Sequence, residues 1–461
     1  MTLDRRAAAE LERPIESARD LVDYFRAGEK PRSRWRIGVE HEKLGLRREG
    51  QRWEPIPYSG SLGVEALLRR LAGAEPGGAP SPWTAVEEEG RVMGLDGPGG
   101  ISLEPGGQLE QNGRPLFTLH ETCAEFHEHL AHLRRVSEGW GITWLGLGCH
   151  PFHALKELPQ VPRERYRIMR RYLPGRGELA LDMMHATASV RVSFDWSDDA
   201  DLVAKARTAL AVTPLAAALF ANSSLHEGRP SGFVSRRSWI WRHTDPDRTG
   251  LLPFVFEPRF GYARYAEWAL DVPMFFIVRG GVYRAMEGRS FRRFWREGFA
   301  GERATLADWD RHLTTLFPEV RMKRILEVRG ADAVPPELLC AVPALWKGLL
   351  YDDEALRAAA ALAPWGPGAA DDLHLDVSRR GLAADTPAGP LLPLARELVA
   401  VAREGLRRQA AEAPGGADEC AFLDPLEALL EQGRSPGEIV LDRWRGEWAG
   451  DPDRLIEYAR Y

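Results

Sequence analysis

The chain has 461 residues, of which 44% are hydrophobic and 28% charged, and its formal net charge is −6. That composition excludes a disordered chain, and a charge so close to neutral leaves no global basic field for a nucleic-acid backbone. The longest apolar run, near Ala209 to Ala221, is interrupted by Thr213 and Pro214 and falls short of the about 20 residues a membrane span needs, so no membrane partner is expected.

The first 16 residues carry arginines with no apolar core behind them, so no secretory signal is expected. Ser17 and Asp20 frame a capped amphipathic helix that Gly28 ends. Trp35 to Leu46 alternates as a strand, and a loop rich in Gly, Pro and Ala follows between Ala72 and Pro82. Two short strand-like pieces, ISLE and QLEQ, flank Pro105-Gly106-Gly107 and predict a hairpin. Thr118 and Glu121 form a capping box for a helix with Leu119, Cys123, Phe126, Leu130 and Leu133 on one face. Further strands are expected at Ile142 to Leu147, Val190 to Trp196, Leu251 to Phe256, Met274 to Val278 and Ile325 to Val328. Helices are expected at Leu202 to Phe220, Phe291 to Phe299 and Leu306 to Phe317, and Gly280-Gly281 reads as a hairpin turn. Strands often follow strands, which favours a mixed or antiparallel α+β sheet over a doubly wound one. After Tyr351 the strand signals fade. Residues 1–350 are therefore expected to form the α+β unit and residues 351–461 a helical region packed on the same domain.

Phosphate-binding loops of the usual kinds are missing. Neither GxxxxGK[ST] nor a GxGxxG between strand and helix occurs. A nucleotide would have to be held through carboxylates and magnesium, because the metal bridges phosphate oxygens to acidic side chains. Candidate carboxylates exist. Alternation in Trp35 to Leu46 puts Glu40 and Glu42 on one strand face, with His41 and Lys43 on the other. Glu104 and Glu110 bracket the predicted hairpin turn, and Glu327 shares a face with Arg329. Separately, each group has a plain explanation as solvated strand, turn flank or surface ion pair. Convergence is different: two carboxylates about 4 Å apart repel by about 4 kcal/mol at an effective dielectric of 20, so five together require divalent cations. Other features point to structure. His120, His127, His129 and His132 lie on one helix without an HExxH zinc pattern. Trp239, Trp241, Phe254 and Phe256 read as core, and His243 to Gly250 as a turn-rich loop whose Asp245, Asp247 and Arg248 are secondary substrate candidates. The four cysteines contain no CxxC, which fits buried thiols in a reducing cytoplasm.

At the acidic motifs the sequence resembles the plant-type glutamate–cysteine ligases, a family also found in many proteobacteria. The resemblance is carried by RIGVEHEKLG, GGISLEPGGQLE, TLHETCAE, RYRIMRRYLP, LALDMMHATASVRVSFDW, ALFANSSLHEGRPSGFVSRRSWIW, DPDRTGLLPFVFE, ALDVPMFF, HLTTLFPEVRMKRILEVRGAD and ALWKGLLYDDEAL, in that order, and thins after about residue 355. It implies a glutamine synthetase-like fold with a curved, mainly antiparallel sheet as a catalytic cradle flanked by helices. It implies an ATP-dependent ligase that joins glutamate to cysteine through γ-glutamyl phosphate, with Mg²⁺ as cofactor, as the first step of glutathione synthesis. A ligase with another amine acceptor, or one serving ergothioneine synthesis, is the alternative. Glu40, Glu42, Glu104, Glu110 and Glu327 would be metal ligands, Glu327 and Arg329 catalytic residues, Arg329 a contact to the transferred phosphoryl group, and Arg237 a substrate-carboxylate contact. The substrates would be the only partners, with the protein a monomer or homodimer in the cytoplasm. Two departures stand out. Plant members read TVQVN where this chain has Arg191 and Ser193 in SVRVS. Cys123 and Cys340 match one of the family's two bridges, or stay buried thiols; near Gly298 to Arg303 the cysteines of the second are missing.

Overall fold

A computed structural model of the chain describes residues 11–73, 81–412, 416 and 418–461. Most of the expected Gly/Pro/Ala loop after Ala72, and the first ten residues, lie outside them. The centre is one ten-stranded sheet. Its strands are numbered here in chain order: β1 (Ile37–Glu49), β2 (Arg52–Pro55), β3 (Thr84–Glu88), β4 (Arg91–Asp96), β5 (Gly100–Leu103), β6 (Leu109–Asn112), β7 (Ile142–Leu145), β8 (Ser189–Phe194), β9 (Val320–Met322) and β10 (Leu326–Asp332). The main path runs β9-β10-β8-β1-β6-β5-β4-β3, and β1 also pairs with β2 and β7. Every pairing in this sheet is antiparallel.

β1 organises the sheet because its two halves have different neighbours. Residues 37–43 pair with β8 on one side and β6 on the other, while residues 44–49 pair with β7 and β2. This second half carries the strand past Leu46 to Glu49, where local alternation no longer marks it. Alternation then sorts the sheet's two faces. Ile37, Val39, Val190, Val192, Phe194, Leu326 and Val328 are buried in one hydrophobic core. That core includes the helix Asp199–Leu219, capped by Asp198, whose side chain accepts from Asp201 N. This is the only helix among the described residues long and apolar enough to cross a membrane, and 83% of its apolar window is buried inside the protein. The opposite face carries the charged residues.

The predicted caps form. Thr118 and Glu121 exchange bonds of 3.0 and 3.1 Å at the start of the helix Leu119–Ser137, and Ser17 N donates to Asp20 at 2.9 Å ahead of the helix Ala18–Arg26. The Gly280-Gly281 hairpin also forms, joining Phe276–Arg279 to Val282–Ala285. The expected strand at Leu251 to Phe256 does not. Pro253 lacks the N–H a ladder needs, and Pro253–Phe256 is a 3₁₀ turn. The helix from Phe291 stops at Glu297, one residue before Gly298 takes a positive φ of 72°. Beyond Tyr351 the helices add Leu398, Ala402 and Leu406 to the main core, while Val440, Trp444 and Leu455 pack with Leu44, Leu46 and Leu145 in a second cluster.

Candidate active site

Cross-strand register places the polar face residue by residue. Glu40 stands opposite Arg191 on β8 and Asn112 on β6, and Glu42 stands opposite Glu110. Glu110 in turn faces Ser102 on β5. Across the other edge, Glu327 on β10 faces Ser193 on β8 and Arg321 on β9. Directly opposed residues share a face, and three carboxylates (Glu40, Glu42, Glu110) and two guanidiniums (Arg191, Arg321) from four strands line one cavity, with space for about 350 Å³ of solvent, while Glu327 is buried beneath its wall. Glu104 reaches it from the β5–β6 turn.

That turn is built by its glycines. Gly107 N donates to Glu104 O at 2.9 Å around Pro105, and Gly107 has φ +81°. Gly106 packs so closely on the helix Ala180–Ala186 that a Cβ there would lie 2.2 Å from the carbonyl oxygen of His185. Gln108 fixes the turn from the other side, accepting from Gly106 N at 2.8 Å and donating to Thr187 O at 2.9 Å. The turn can therefore hold Glu104 beside Glu110. Oxygens of Glu42, Glu104 and Glu110 lie within 4.8 Å of one another.

The five expected acids separate into three environments. Glu42, Glu104 and Glu110 form the close triad. Burial, and then the charges of Glu40 and Glu104, push the Glu110 pKa well above the usual carboxylate range. Glu40 is outside the triad and is paired with Arg191 at 3.0 Å. Glu327 is fully buried, and both its oxygens accept from Arg321 at 2.8 and 2.9 Å, with Arg329 also in contact. Burial favours its neutral form, but Arg321, Arg329, Lys323 and Arg191 outweigh that and hold its pKa far below the usual range. Of the five expected metal ligands, Glu42, Glu104 and Glu110 come within reach of a single ion; Glu40 and Glu327 stand apart and are paired with arginines, and Arg191 also contacts Glu42.

Cations line the rest of the cavity: Arg163, Arg165, Arg191, Arg321, Lys323 and Arg329, with Tyr166, Trp241 and Phe317 as apolar wall. Burial, followed by the charge of Arg321, lowers the Lys323 pKa. Arg321 and Lys323 were not singled out in the sequence, although their period-two spacing before Glu327 and Arg329 marks a charged hairpin. Arg237 stands behind this wall. It donates to the backbone carbonyl of Arg329 at 2.8 Å and lies 3.8 Å from Asp332, and it is not among the lining residues. A direct substrate contact through Arg237 is therefore not supported by its position; it braces the strand that carries Arg329. Trp241 belongs to the cavity wall as well as the core. Asp245 and Arg248 are buried and paired at 2.7 Å, and neither they nor Asp247 reach the cavity. Cys123 and Cys340 are bonded, with Cα atoms 5.9 Å apart, while Cys149 and Cys420 are free and buried.

The comparisons with known proteins agree with this geometry. The family described as glutamate-cysteine ligase family 2 matches residues 36–458. The chain belongs to that family. It is 42% identical over 447 residues to the chloroplastic glutamate–cysteine ligase of Brassica juncea, covering 96% of this chain and 84% of that one. Glutamate–cysteine ligase B of Oryza sativa, also chloroplastic, is 42% identical over 459 residues, covering 98% and 89%. Among solved structures, glutamate–cysteine ligase from Francisella tularensis in complex with AMP superposes with a TM-score of 0.55 at 11% identity, covering 92% of this chain and 87% of that one. That likeness bears on the fold, which is the glutamine synthetase-like α+β type expected. The expectation of a cytoplasmic location is overturned, since the plant relatives are named chloroplastic. Two of the four cysteines are paired, so cysteine usage gives no support to a reducing compartment.

Proposed function

We propose that the acidic cavity is where this family's reaction takes place in this chain. The protein is an ATP-dependent carboxylate–amine ligase: it joins the γ-carboxylate of glutamate to the amine of cysteine, the first step of glutathione synthesis. The observation that supports the cavity as the site is the pairing of an oxygen triad with a facing arginine wall. The triad fits Mg²⁺, because its donors are hard carboxylate oxygens that lie within 4.8 Å of one another. Magnesium bound there would neutralise phosphate oxygens and orient the triphosphate.

A carboxylate resists attack by an amine until its oxygen becomes a good leaving group. The γ-carboxylate of glutamate attacks the γ-phosphorus of ATP, the bond to the bridging oxygen breaks, and γ-glutamyl phosphate and ADP result. The amine of cysteine then attacks the acyl carbon, loses a proton and expels phosphate. Positioning and charge neutralisation dominate such transfers. Arg329 and Arg321, fixed by Glu327, and Lys323 supply positive charge against the negative charge on the oxygens of the transferred phosphoryl group. Glu42 is held by Ser189, whose N and Oγ donate to one of its oxygens at 2.6 and 3.0 Å, while its other oxygen is in contact with Arg191. Trp241 and Phe317 shield this end from water. ADP release by the purified protein should require glutamate, cysteine and Mg²⁺ together, with cysteine preferred over other amines. Turnover without ATP, or unchanged activity in Glu42→Ala and Glu110→Ala, would discard the assignment.

A further inference from the structure

Arg191 sits among the carboxylates of β1 and β6. It stands on β8 directly opposite Glu40 and is buried. Its Nε donates to Ser189 Oγ at 3.2 Å, which fixes the plane of the guanidinium. One terminal nitrogen lies 3.0 Å from Glu40 and 3.9 Å from Glu110, and the other contacts Glu42. The group therefore bridges two strand carboxylates and touches the edge of the triad.

Arg191 is ion-paired with Glu40 and Glu42, and Arg321 and Arg329 with Glu327. Oxygens of Glu42, Glu104 and Glu110 lie within 4.8 Å of one another, close enough to share one divalent ion. A second ion would have to approach Glu40 and Glu42 against a guanidinium already bound to both.

We propose that Arg191 is a built-in cation that takes the place of a divalent ion between Glu40 and Glu42, so that without nucleotide the protein binds one divalent ion, at Glu42, Glu104 and Glu110. The proposal rests on the reading of the triad as a metal site, but its test counts ions and is independent of turnover. Full-length protein is titrated with Mn²⁺ alone, and free Mn²⁺ is read from its EPR signal. Native protein binds one ion per chain. Arg191→Gln, neutral and similar in length, binds two, while Arg191→Lys, which keeps the charge, binds one. Glu40→Gln still binds one, because Glu40 holds the guanidinium and not the ion.

Two ions on the native protein, or one on Arg191→Gln, would overturn the proposal and leave the ligase reading intact. Loss of the single ion in Glu40→Gln would do the same, and this arm stands even where Arg191→Gln fails to fold. No Mn²⁺ on any variant would overturn both readings.

Discussion

Glu327→Gln separates two roles for this residue. The carboxylate is inaccessible to solvent and is shared by Arg321 and Arg329. The amide is almost isosteric, so little packing changes, but two buried guanidiniums lose their counter-charge. Removing one partner of a buried pair costs about 3–5 kcal/mol. An unfolding entropy of about 2.1 cal/mol/K per residue, taken over 461 residues, comes to about 1 kcal/mol/K, so the melting temperature should fall by about 3–5 °C. Activity should fall further than stability. Arg329 would no longer be held toward the transferred phosphoryl group, and loss of one such preorganised donor costs about 10²–10³ in kcat. Because both oxygens of Glu327 are engaged by arginine, the Mg²⁺ concentration for half-maximal rate should move by less than about twofold, whereas Glu110→Gln should raise it by about tenfold or more. Scanning calorimetry and ADP-release kinetics over a Mg²⁺ series measure all three quantities. An unchanged melting temperature with unchanged kcat would refute the ion-pair reasoning. A Mg²⁺ requirement that rises as in Glu110→Gln would make Glu327 a metal ligand after all.

Three further outcomes follow from the geometry. Burial and the neighbouring carboxylates raise the Glu110 pKa, so proton and metal compete for it; apparent Mg²⁺ affinity, measured by titration calorimetry, should climb with pH by up to about tenfold per unit and level off once Glu110 is ionised. Gly106→Ala forces a Cβ into the carbonyl of His185 and shifts the turn that carries Glu104; overpacking of this kind costs about 1–3 kcal/mol, and kcat/KM should fall by about tenfold as the triad loosens. The Cys123–Cys340 bridge closes a loop of 217 residues, so chain entropy sets an upper bound of about 5 kcal/mol on its stabilisation; Cys123→Ser should unfold at lower denaturant concentration than native protein, and an identical midpoint would show that the bridge contributes nothing.

Much of the site was legible where a single strand carries the signal. Alternation in Trp35 to Leu46 placed Glu40 and Glu42 together and His41 and Lys43 on the other face; Glu40 and Glu42 line the cavity, and His41 packs on Phe126 and Tyr461. Pro105-Gly106-Gly107 marked the turn that sets Glu104 beside Glu110. Register between strands was not legible, because the partners are far apart in the chain: Glu42 and Glu110 by 68 residues, Glu327 and Ser193 by 134, Glu40 and Arg191 by 151. The opposition of Glu40 to Arg191 and of Glu327 to Ser193 therefore appeared only in the fold. Arg321 is a local case: it pairs with Glu327 only six residues on, across a hairpin that the alternating charges mark but that has no Gly or Asn-Gly turn signal between its strands. Arg237 lies in a motif shared with the family, but its side chain is drawn behind β10 by Asp332 and the Arg329 carbonyl. The strand assigned at Leu251 to Phe256 failed for a local reason, since the apolar period outweighed Pro253 in the reading but not in the backbone.

Isotope transfer offers the most direct measurement. Glutamate labelled with ¹⁸O in its γ-carboxylate is turned over with ATP, cysteine and Mg²⁺, and the released phosphate is analysed by mass spectrometry. One labelled oxygen per phosphate is the result expected when that carboxylate is phosphorylated before the amine attacks. Dipeptide formed with unlabelled phosphate would contradict the account.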